Sequence, residues 1–274
     1  MILFLFVLAL EVSIVILFHT LNGNPWLLFL WIPLAILIGF ILTVVFILFG
    51  AIPFVGATKP QNKLRQLLIS LCGHYLLLMM NSHVKVYGRK NMVKSNCLIV
   101  SNHKSLIDPV FIYAGLRRVG WPCAKKEVPE EMPYLKFILD NFHTMYIDRE
   151  NDRNSLKEII KGINELKAGN DVLIFPEGGI KTRDVEQMVA IKSGSYKLAV
   201  KANVPIQPIA LVGNTKTFTR KCFFKHVRVK LYILEPLMPE QYANMTTHEI
   251  GVEILNRVNK MFGHEEKHEV AIDE

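Results

Sequence analysis

Long apolar stretches fill the N-terminal part of the chain, where Glu11 is the only charged residue among positions 1–56. Residues 26–50 carry no charge and would form a helix about 38 Å long at roughly 1.5 Å per residue. That length exceeds the hydrocarbon core of a bilayer, which is about 30 Å thick. A buried helix of a soluble protein would need a polar stripe at this length, so the pattern predicts a membrane-spanning helix.

The preceding apolar segment, residues 2–18, is a weaker candidate for a membrane span. It is short and places Glu11 near its middle, where an acid costs about 3 kcal/mol on insertion scales. The segment either spans the bilayer or lies in its interface. A cleaved signal peptide would have positive charge before the apolar run and a small-residue site after it, and the sequence has neither. We therefore predict a membrane anchor over residues 1–56, a helical hairpin that turns at residues 22–25.

The next periodic segment, residues 62–80, has a polar start and a very apolar end. Gly73 and His74 interrupt it. The pattern predicts an interfacial helix, within a linker over residues 57–83, that lies against the bilayer and the following domain.

Beyond residue 80, short β-branched runs alternate with segments of helical periodicity. The predicted strands are residues 84–88, 97–102, 145–148, 171–176, 206–213 and 227–235. The predicted helices are residues 109–118, 152–168, 192–202 and 247–262. This alternation predicts an α/β fold, a mostly parallel or mixed sheet flanked by helices, over residues 84–263. The acidic residues 264–274 are predicted to form a flexible tail.

Charge is distributed as unevenly as hydrophobicity. The chain has 32 Lys and Arg against 24 Asp and Glu, a net charge of +8, and the region before Asp108 is rich in cations. Positive loops stay on the cytosolic side, and cations near a membrane attract anionic head groups. The sequence therefore predicts a cell-membrane protein whose domain lies on the cytosolic face and contacts phospholipids. Nucleic acid is not an expected partner, because the chain has no zinc-finger spacing or aromatic-interleaved basic motif.

His103 and Asp108 are the first candidate chemical pair. They lie five positions apart after a predicted strand, close enough for the carboxylate to contact one imidazole nitrogen and leave the other free. A histidine held in this way is a general base. An alternative role for Asp108 is the N-cap of the helix that starts with Pro109. A covalent nucleophile, Ser101 or Ser105, is disfavoured because the chain has no G-x-S-x-G elbow.

A second run, residues 176–179, follows the end of another predicted strand, where chemistry gathers in α/β folds. The amides of Gly178 and Gly179 are candidates for binding an anion. Glu177 would anchor the loop or contact a substrate hydroxyl. The alternative is an ordinary tight turn.

Metal binding is not expected. Residues 264–268 match the H-E-x-x-H pattern of zinc proteases, but the match follows the helix-ending Gly263 and leaves few residues to supply another ligand. The four cysteines show no C-x-x-C spacing and are predicted to be reduced and mostly buried.

The order of these motifs resembles the lysophospholipid acyltransferase family, in particular its bacterial 1-acyl-sn-glycerol-3-phosphate acyltransferases. The strings that carry the resemblance are H-x4-D within residues 101–108, YIDR at 146–149, FPEG at 175–178 and VPIQPI at 204–209. The resemblance covers residues 84–235 and implies the glycerolipid acyltransferase fold.

The resemblance also implies a reaction and its residues. A fatty acyl group passes from acyl-CoA or acyl carrier protein, the co-substrate, to the free hydroxyl of lysophosphatidic acid, without cofactor, metal or covalent intermediate. His103 is then the base and Asp108 orients it. Arg149 would bind the acceptor's phosphate, with a surface ion pair to Asp148 or Glu150 as the alternative.

Further substrate-binding residues follow from the resemblance. Glu177 and Gly178 match the family's acceptor-binding loop, and Lys192 matches a lysine in a following element. The chain departs from the family after Gly178, because Gly179 and then Ile180 stand where the family has Thr and Arg.

The nearest cations after this departure are Lys181 and Arg183. Either would bind phosphate from a shifted loop, unless the acceptor depends less on its phosphate. The predicted product is phosphatidic acid. The alternatives are acylation of another lysophospholipid or of glycerol 3-phosphate, and a noncatalytic, membrane-anchored lipid-binding scaffold.

Overall fold

The computed structural model describes residues 11–16, 18, 20, 27–118, 120–148, 152–217, 226–263 and 271–273. The chain forms two compact units, Met1–Thr58 and Lys59–Glu274. The predicted hairpin turn at 22–25 and Arg149 lie outside the described residues, as does the H-E-x-x-H string.

The first unit contains one long helical stretch. Helix α1 (Leu27–Val45) continues through a π-helical turn (Phe46–Ala51) into α2 (Ile52–Ala57). Among the described residues, Ile36–Ala57 is the one helical stretch long and apolar enough to cross a membrane. The helical stretch continues past residue 50, and the π-helical turn lies immediately before Pro53, whose missing N–H removes an i→i−4 hydrogen bond.

Glu11, the single charge of this region, is buried against α1. Its residue is 8% exposed, and a Cβ atom added at Gly39 would lie 2.6 Å from Glu11 Oε2. The absence of a side chain at Gly39 therefore permits this close approach. The described residues 11–16, 18 and 20 are helical, so part of the first apolar segment packs as a helix beside α1.

The second unit is built on a seven-stranded sheet with the order β1–β8–β7–β2–β5–β3–β4. Its strands are β1 (Ser82–Tyr87), β2 (Leu98–Ser101), β3 (Trp121–Lys125), β4 (Met145–Ile147), β5 (Val172–Ile174), β7 (Ile206–Val212) and β8 (Val227–Ile233). Neighbouring strands are parallel except for the antiparallel pair β7–β8. The predicted mixed α/β sheet is confirmed.

Helices flank this sheet. They are α3 (Lys63–Met79), α4 (Asp108–Leu116), α5 (Val128–Glu131), α6 (Pro133–Asn141), α7 (Asp152–Lys167), α8 (Lys197–Ala202), α9 (Pro239–Tyr242) and α10 (Thr247–Asn259). The sequence pattern missed α5, α6 and α9, each of which has a proline in its first turn. Proline there starts a helix rather than breaking it.

Strand β3 was not among the predicted strands. It contains Pro122, and within sheets proline is confined to edges, strand starts and bulges. In the structure, Trp121 and Pro122 pair with β5, whereas Cys123 to Lys125 pair with β4. Each half of β3 therefore pairs with one neighbour. Pro122 has no partner in β4, so its missing N–H removes no hydrogen bond to that strand.

A small second sheet pairs β6 (Ala190–Lys192) with β9 (Ala271–Asp273) in parallel. Residues 271–273 of the predicted tail therefore form a strand, and the flexibility of the tail stays a prediction. The backbone edge of β6 supplies the hydrogen-bonding partners of these three residues.

The core lies between the sheet and α7, α8 and α10. Leu98, Val100, Ile174 and Ile206 are at most 3% exposed and pack with residues of these helices, including Leu198. On the second unit's other helical layer, α3 packs against α4. These layers fix the ends of β2, β5 and β7 relative to one another.

Candidate active site

The loops that leave β2, β5 and β7 meet at one edge of the sheet. Because β2 is parallel to both β5 and β7, the carboxyl ends of all three strands point the same way, and such an edge is where α/β folds place their sites. The loops carry the two runs singled out in the sequence, residues 101–108 and 176–179. The third loop starts at Gly213.

His103 and Asp108 contact each other as predicted. His103 Nδ1 lies 3.0 Å from Asp108 Oδ2, and the histidine side chain is 15% exposed while the aspartate side chain is fully buried. The imidazole also stacks on Phe175, with ring centroids 4.2 Å apart. The carboxylate therefore holds Nδ1 as the protonated nitrogen, and Nε2 is left to accept a proton.

Asp108 has more partners than the histidine. Its Oδ2 accepts hydrogen bonds from the backbone N–H groups of Lys104 and Ser105 at 2.7 and 2.8 Å, and its Oδ1 accepts one from Asn214 Nδ2 at 3.0 Å. Asp108 is the first residue of α4 and does not act as its N-cap, which is Ile107. The loop is thus folded around the carboxylate.

Glu177 and Lys104 form a second buried pair. Lys104 Nζ lies 2.8 Å from Glu177 Oε2, and both side chains are fully buried. Glu177 Oε1 accepts a hydrogen bond from the backbone N–H of His103 at 2.8 Å, and Oε2 accepts another from Val189 N–H at 3.3 Å. Glu177 therefore links the loop after β5 to the loop of residues 102–107, and its contact with an acceptor stays a prediction.

The glycines after Glu177 form a turn with positive φ values, 70° at Gly178 and 139° at Gly179. The N–H of Gly178 donates to Phe175 O at 2.9 Å, so the prediction that this amide binds an anion is corrected to a tight turn. A Cβ at Gly179 would lie 2.9 Å from Lys125 Cε and 3.3 Å from Lys125 Nζ. Lys125, at the end of β3, therefore reaches this loop, although the sequence analysis did not select it.

The predicted substrate-binding residues Arg183 and Lys192 lie in separate segments after the Gly178–Gly179 turn. Arg183 Nε donates to Lys104 O at 3.3 Å, which places this exposed arginine beside the loop of residues 102–107. The backbone N–H of Lys192 donates to Pro176 O at 2.9 Å. Their roles in binding substrate, like that of Arg149, stay predictions.

Two asparagines at the site were missed. Asn102 Nδ2 donates to the carbonyls of Glu186 and Leu211, and its Oδ1 accepts from Leu211 N–H, each at 2.9 Å. Asn214 bonds Asp108. Asn102 precedes His103 in the sequence, and this position could have identified it as a site residue. No feature of the sequence around Asn214 indicates that it lies at the site.

Serine is not positioned as a nucleophile. Ser101 and Ser105 are fully buried, so neither hydroxyl is open to a substrate. Cys97 is buried and Cys72 is partly buried, and neither forms a disulfide. Burial raises the pKa of Cys72 to about 11, which keeps this thiol protonated and unreactive. Cys222 lies outside the described residues.

Replacing Gly179 with alanine is expected to lower stability, because φ is 139° there and a side chain in such a conformation costs about 1–3 kcal/mol. The added methyl group would also displace the end of Lys125. Gly194→Ala is a matched control, since a Cβ there meets nothing within 4 Å. Thermal unfolding of the two purified variants provides the measurement, and equal Tm values would contradict the strain argument.

Comparisons with known proteins agree with these motifs. A family model described as Acyltransferase matches residues 83–212. The 1-acyl-sn-glycerol-3-phosphate acyltransferase of Saccharomyces cerevisiae is 28% identical over 181 residues, which cover 65% of this chain and 58% of the yeast protein. The enzyme of the same name from Helicobacter pylori is 31% identical over 168 residues, which cover 60% of this chain and 68% of that protein.

A solved structure shares the fold. The crystal structure of the 1-acyl-sn-glycerophosphate (LPA) acyltransferase PlsC from Thermotoga maritima has a TM-score of 0.62 and 22% identity to this chain, over 83% of this chain and 95% of that one. The resemblance inferred from the motif order is confirmed. The chain belongs to the acyltransferase family, as a relative of the 1-acyl-sn-glycerol-3-phosphate acyltransferases.

Proposed function

We propose that the protein transfers a fatty acyl group from acyl-CoA or acyl carrier protein to the free hydroxyl of 1-acyl-glycerol 3-phosphate, giving phosphatidic acid. The observation that carries the proposal is the His103–Asp108 pair, with Nδ1 and Oδ2 3.0 Å apart and the histidine partly exposed at the sheet edge. The relatives named 1-acyl-sn-glycerol-3-phosphate acyltransferases support the choice of acceptor.

The proposed reaction is a direct transfer. His103 Nε2 takes the proton of the acceptor hydroxyl as its oxygen attacks the thioester carbonyl. The C–S bond then breaks, and the leaving thiolate takes the proton from the His103 imidazolium, which restores the base. Asp108 stabilises the imidazolium formed in the first step. A thiolate is a good leaving group, so the proposal includes no cofactor and no covalent intermediate.

The acceptor's phosphate would be bound by cations at the same edge. Lys125 reaches Gly179 in the loop after β5. Arg183 contacts Lys104 O in the loop of residues 102–107, which carries the proposed base and is called the catalytic loop below. Hydrogen bonds to charged groups are worth about 1.5–3 kcal/mol each. Lys125 and Arg183 would thus favour a phosphate-bearing acceptor over a neutral one.

The setting proposed for this reaction is the cytosolic face of the membrane. The helical stretch Ile36–Ala57 supports a membrane location, and the cations that follow it support a cytosolic domain. Both the lysophospholipid acceptor and the phospholipid product reside in that membrane.

The proposal is tested with the full-length protein purified in detergent. Acyl transfer is measured from acyl-CoA and from acyl carrier protein to lysophosphatidic acid, with lysophosphatidylcholine and glycerol 3-phosphate as competing acceptors. Transfer to lysophosphatidic acid at the highest kcat/KM is expected. A preference for another acceptor would overturn the assignment of the acceptor, and inactivity with all three would favour a lipid-binding scaffold.

Lys125→Gln is expected to raise the KM for lysophosphatidic acid by about tenfold or more, because it removes a charged hydrogen-bond donor from the phosphate. The kcat should change less. Lys201→Gln is the control, since Lys201 is exposed in helix α8 and is not part of the loops that follow β2, β3 and β5. Steady-state kinetics with varied acceptor give the result, and an unchanged KM would remove Lys125 from the acceptor site.

A further inference from the structure

The second unit contains a basic cavity that the proposed reaction does not use. Its volume is about 480 Å³, and it lies between α3, β1 and the end of α4. Five of the nine residues that line it are basic: His74, His83, Lys85, Arg89 and Arg117. The described residues that form the lining include no acid.

The permanent cations of the cavity are not neutralised within the described part of the chain. None of the ion pairs found there involves Lys85, Arg89 or Arg117. Arg89 Nη2 donates to Gly115 O at 2.8 Å, and Lys85 Nζ lies 5.3 Å from the ring centroid of Tyr87. These contacts position two side chains but leave their charge uncompensated, so a bound anion would lower the electrostatic energy of the cavity.

Arg117 occupies an unusual backbone position. It is the C-cap of α4 with a left-handed conformation, φ 55° and ψ 30°. Glycine is favoured at such helix ends because a side chain there is strained. The strained position nevertheless holds an arginine, whose guanidinium is well suited to phosphate.

The cavity is separate from the catalytic site. Helix α4 begins at Asp108, which bonds His103, whereas Arg117 follows the other end of the helix. Asp108 and Arg117 are nine positions apart, which corresponds to about 13 Å at roughly 1.5 Å per residue. One ligand phosphate therefore does not contact both sites.

Two exposed leucines share the face of α3 that carries His74. Leu67 and Leu78, seven positions before and four positions after His74, are 48% and 50% exposed. Exposed apolar side chains next to clustered cations complement the surface of an anionic bilayer, with its acyl chains beneath its phosphates. We propose that this cavity binds the phosphate of an anionic phospholipid head group at the membrane surface.

The test uses the detergent-purified full-length protein and counts bound lipid by native mass spectrometry. Phosphatidylglycerol is the probe, because it is anionic and is neither substrate nor product of the proposed reaction, and phosphatidylcholine is the neutral comparison. Lys85→Gln/Arg89→Gln/Arg117→Gln is expected to weaken phosphatidylglycerol binding about tenfold or more. Lys94→Gln/Lys157→Gln/Lys201→Gln removes the same charge from exposed positions outside the cavity and should leave binding within about twofold. Equal losses in both triple variants would overturn the proposal.

A single substitution avoids dependence on the folding of the triple variant. Arg117→Gly places the favoured residue at a left-handed C-cap, so it should fold at least as well as the wild type. It is expected to weaken phosphatidylglycerol binding severalfold. Asn203→Gly makes the same kind of change at the left-handed C-cap of α8 and should not alter binding. Unchanged binding by a folded Arg117→Gly protein would contradict the site.

Free phosphate is the other source of the same chemistry. Millimolar inorganic phosphate is expected not to displace phosphatidylglycerol, because the exposed leucines bind only a lipid. Displacement by inorganic phosphate would overturn the assignment to a lipid head group.

Discussion

Replacing His103 with alanine is expected to lower kcat for acyl transfer by about 10²–10⁴-fold, the usual contribution of a general base. The fold should survive the change. Asp108 keeps its hydrogen bonds from Lys104 N–H, Ser105 N–H and Asn214, so its buried carboxylate still has partners. The lost stacking on Phe175 costs about 1 kcal/mol.

The measurement is the initial rate of acyl transfer by wild-type and variant proteins with matching circular dichroism spectra. His248→Ala is the matched control, because His248 is exposed in the first turn of α10, and it should keep wild-type activity. A folded His103→Ala protein with wild-type kcat would refute the assignment of the base and favour a scaffold.

Asp108→Asn tests the role of the carboxylate within the same experiment. Asn214 Oδ1 is buried and has no hydrogen-bond partner among the described residues. Rotation of the Asn214 amide would therefore accommodate the new amide at position 108. The variant should fold but lose activity, because a neutral amide does not stabilise the imidazolium.

The second large effect concerns stability. Lys104→Met is expected to destabilise the protein by about 3–5 kcal/mol, because it leaves the carboxylate of Glu177 buried without its cation. Lys104 and Glu177 are both fully buried and 2.8 Å apart. For a chain of this size the change corresponds to a fall in Tm on the order of 10 °C, measured by circular dichroism in detergent.

Two comparisons isolate the buried charge. Lys126→Met removes a cation that is 51% exposed and paired with Asp148 at 3.2 Å, and exposed pairs contribute about 0–1 kcal/mol. The double variant Lys104→Met/Glu177→Gln should be more stable than Lys104→Met alone, since it leaves no uncompensated charge. If Lys104→Met and Lys126→Met lowered Tm equally, the buried pair would not stabilise the catalytic loop as argued.

The anchoring of the catalytic loop by Glu177 explains why one substitution affects both stability and rate. Glu177 accepts the backbone N–H of His103, so movement of the pair moves the base. The rate increase that a general base provides depends strongly on its alignment with the substrate. Loss of Lys104 is therefore expected to lower kcat as well as Tm.

Local features of the sequence predicted the elements that depend on local physics. The spacing of His103 and Asp108 placed them within one loop, and the i+5 separation is short enough for contact in most conformations of such a turn. The length of the apolar run predicted a helix over residues 26–50, whereas the helical stretch extends to Ala57. The alternation of strands and helices gave the α/β class, because periodicity reports which faces are buried.

Proline and distance explain what the pattern missed. Pro122, Pro129 and Pro133 lie in elements that the sequence pattern did not predict, although a proline is compatible with a helix start and with a strand half that has one neighbour. Strand β6 is three residues long, too short for a period to be detected. Its partner β9 is far away in the sequence.

The sequence by itself determined that the chain has an apolar N-terminal segment, an α/β domain and a His–Asp pair, since each follows from composition or from residues a few positions apart. The tertiary structure decided the rest of the site. Lys104 meets Glu177 across 73 positions, and Asn214 meets Asp108 across 106. Those contacts exist because β7, β2 and β5 are parallel neighbours whose carboxyl ends share one edge, and strand order depends on packing of the whole domain rather than on any local run of residues.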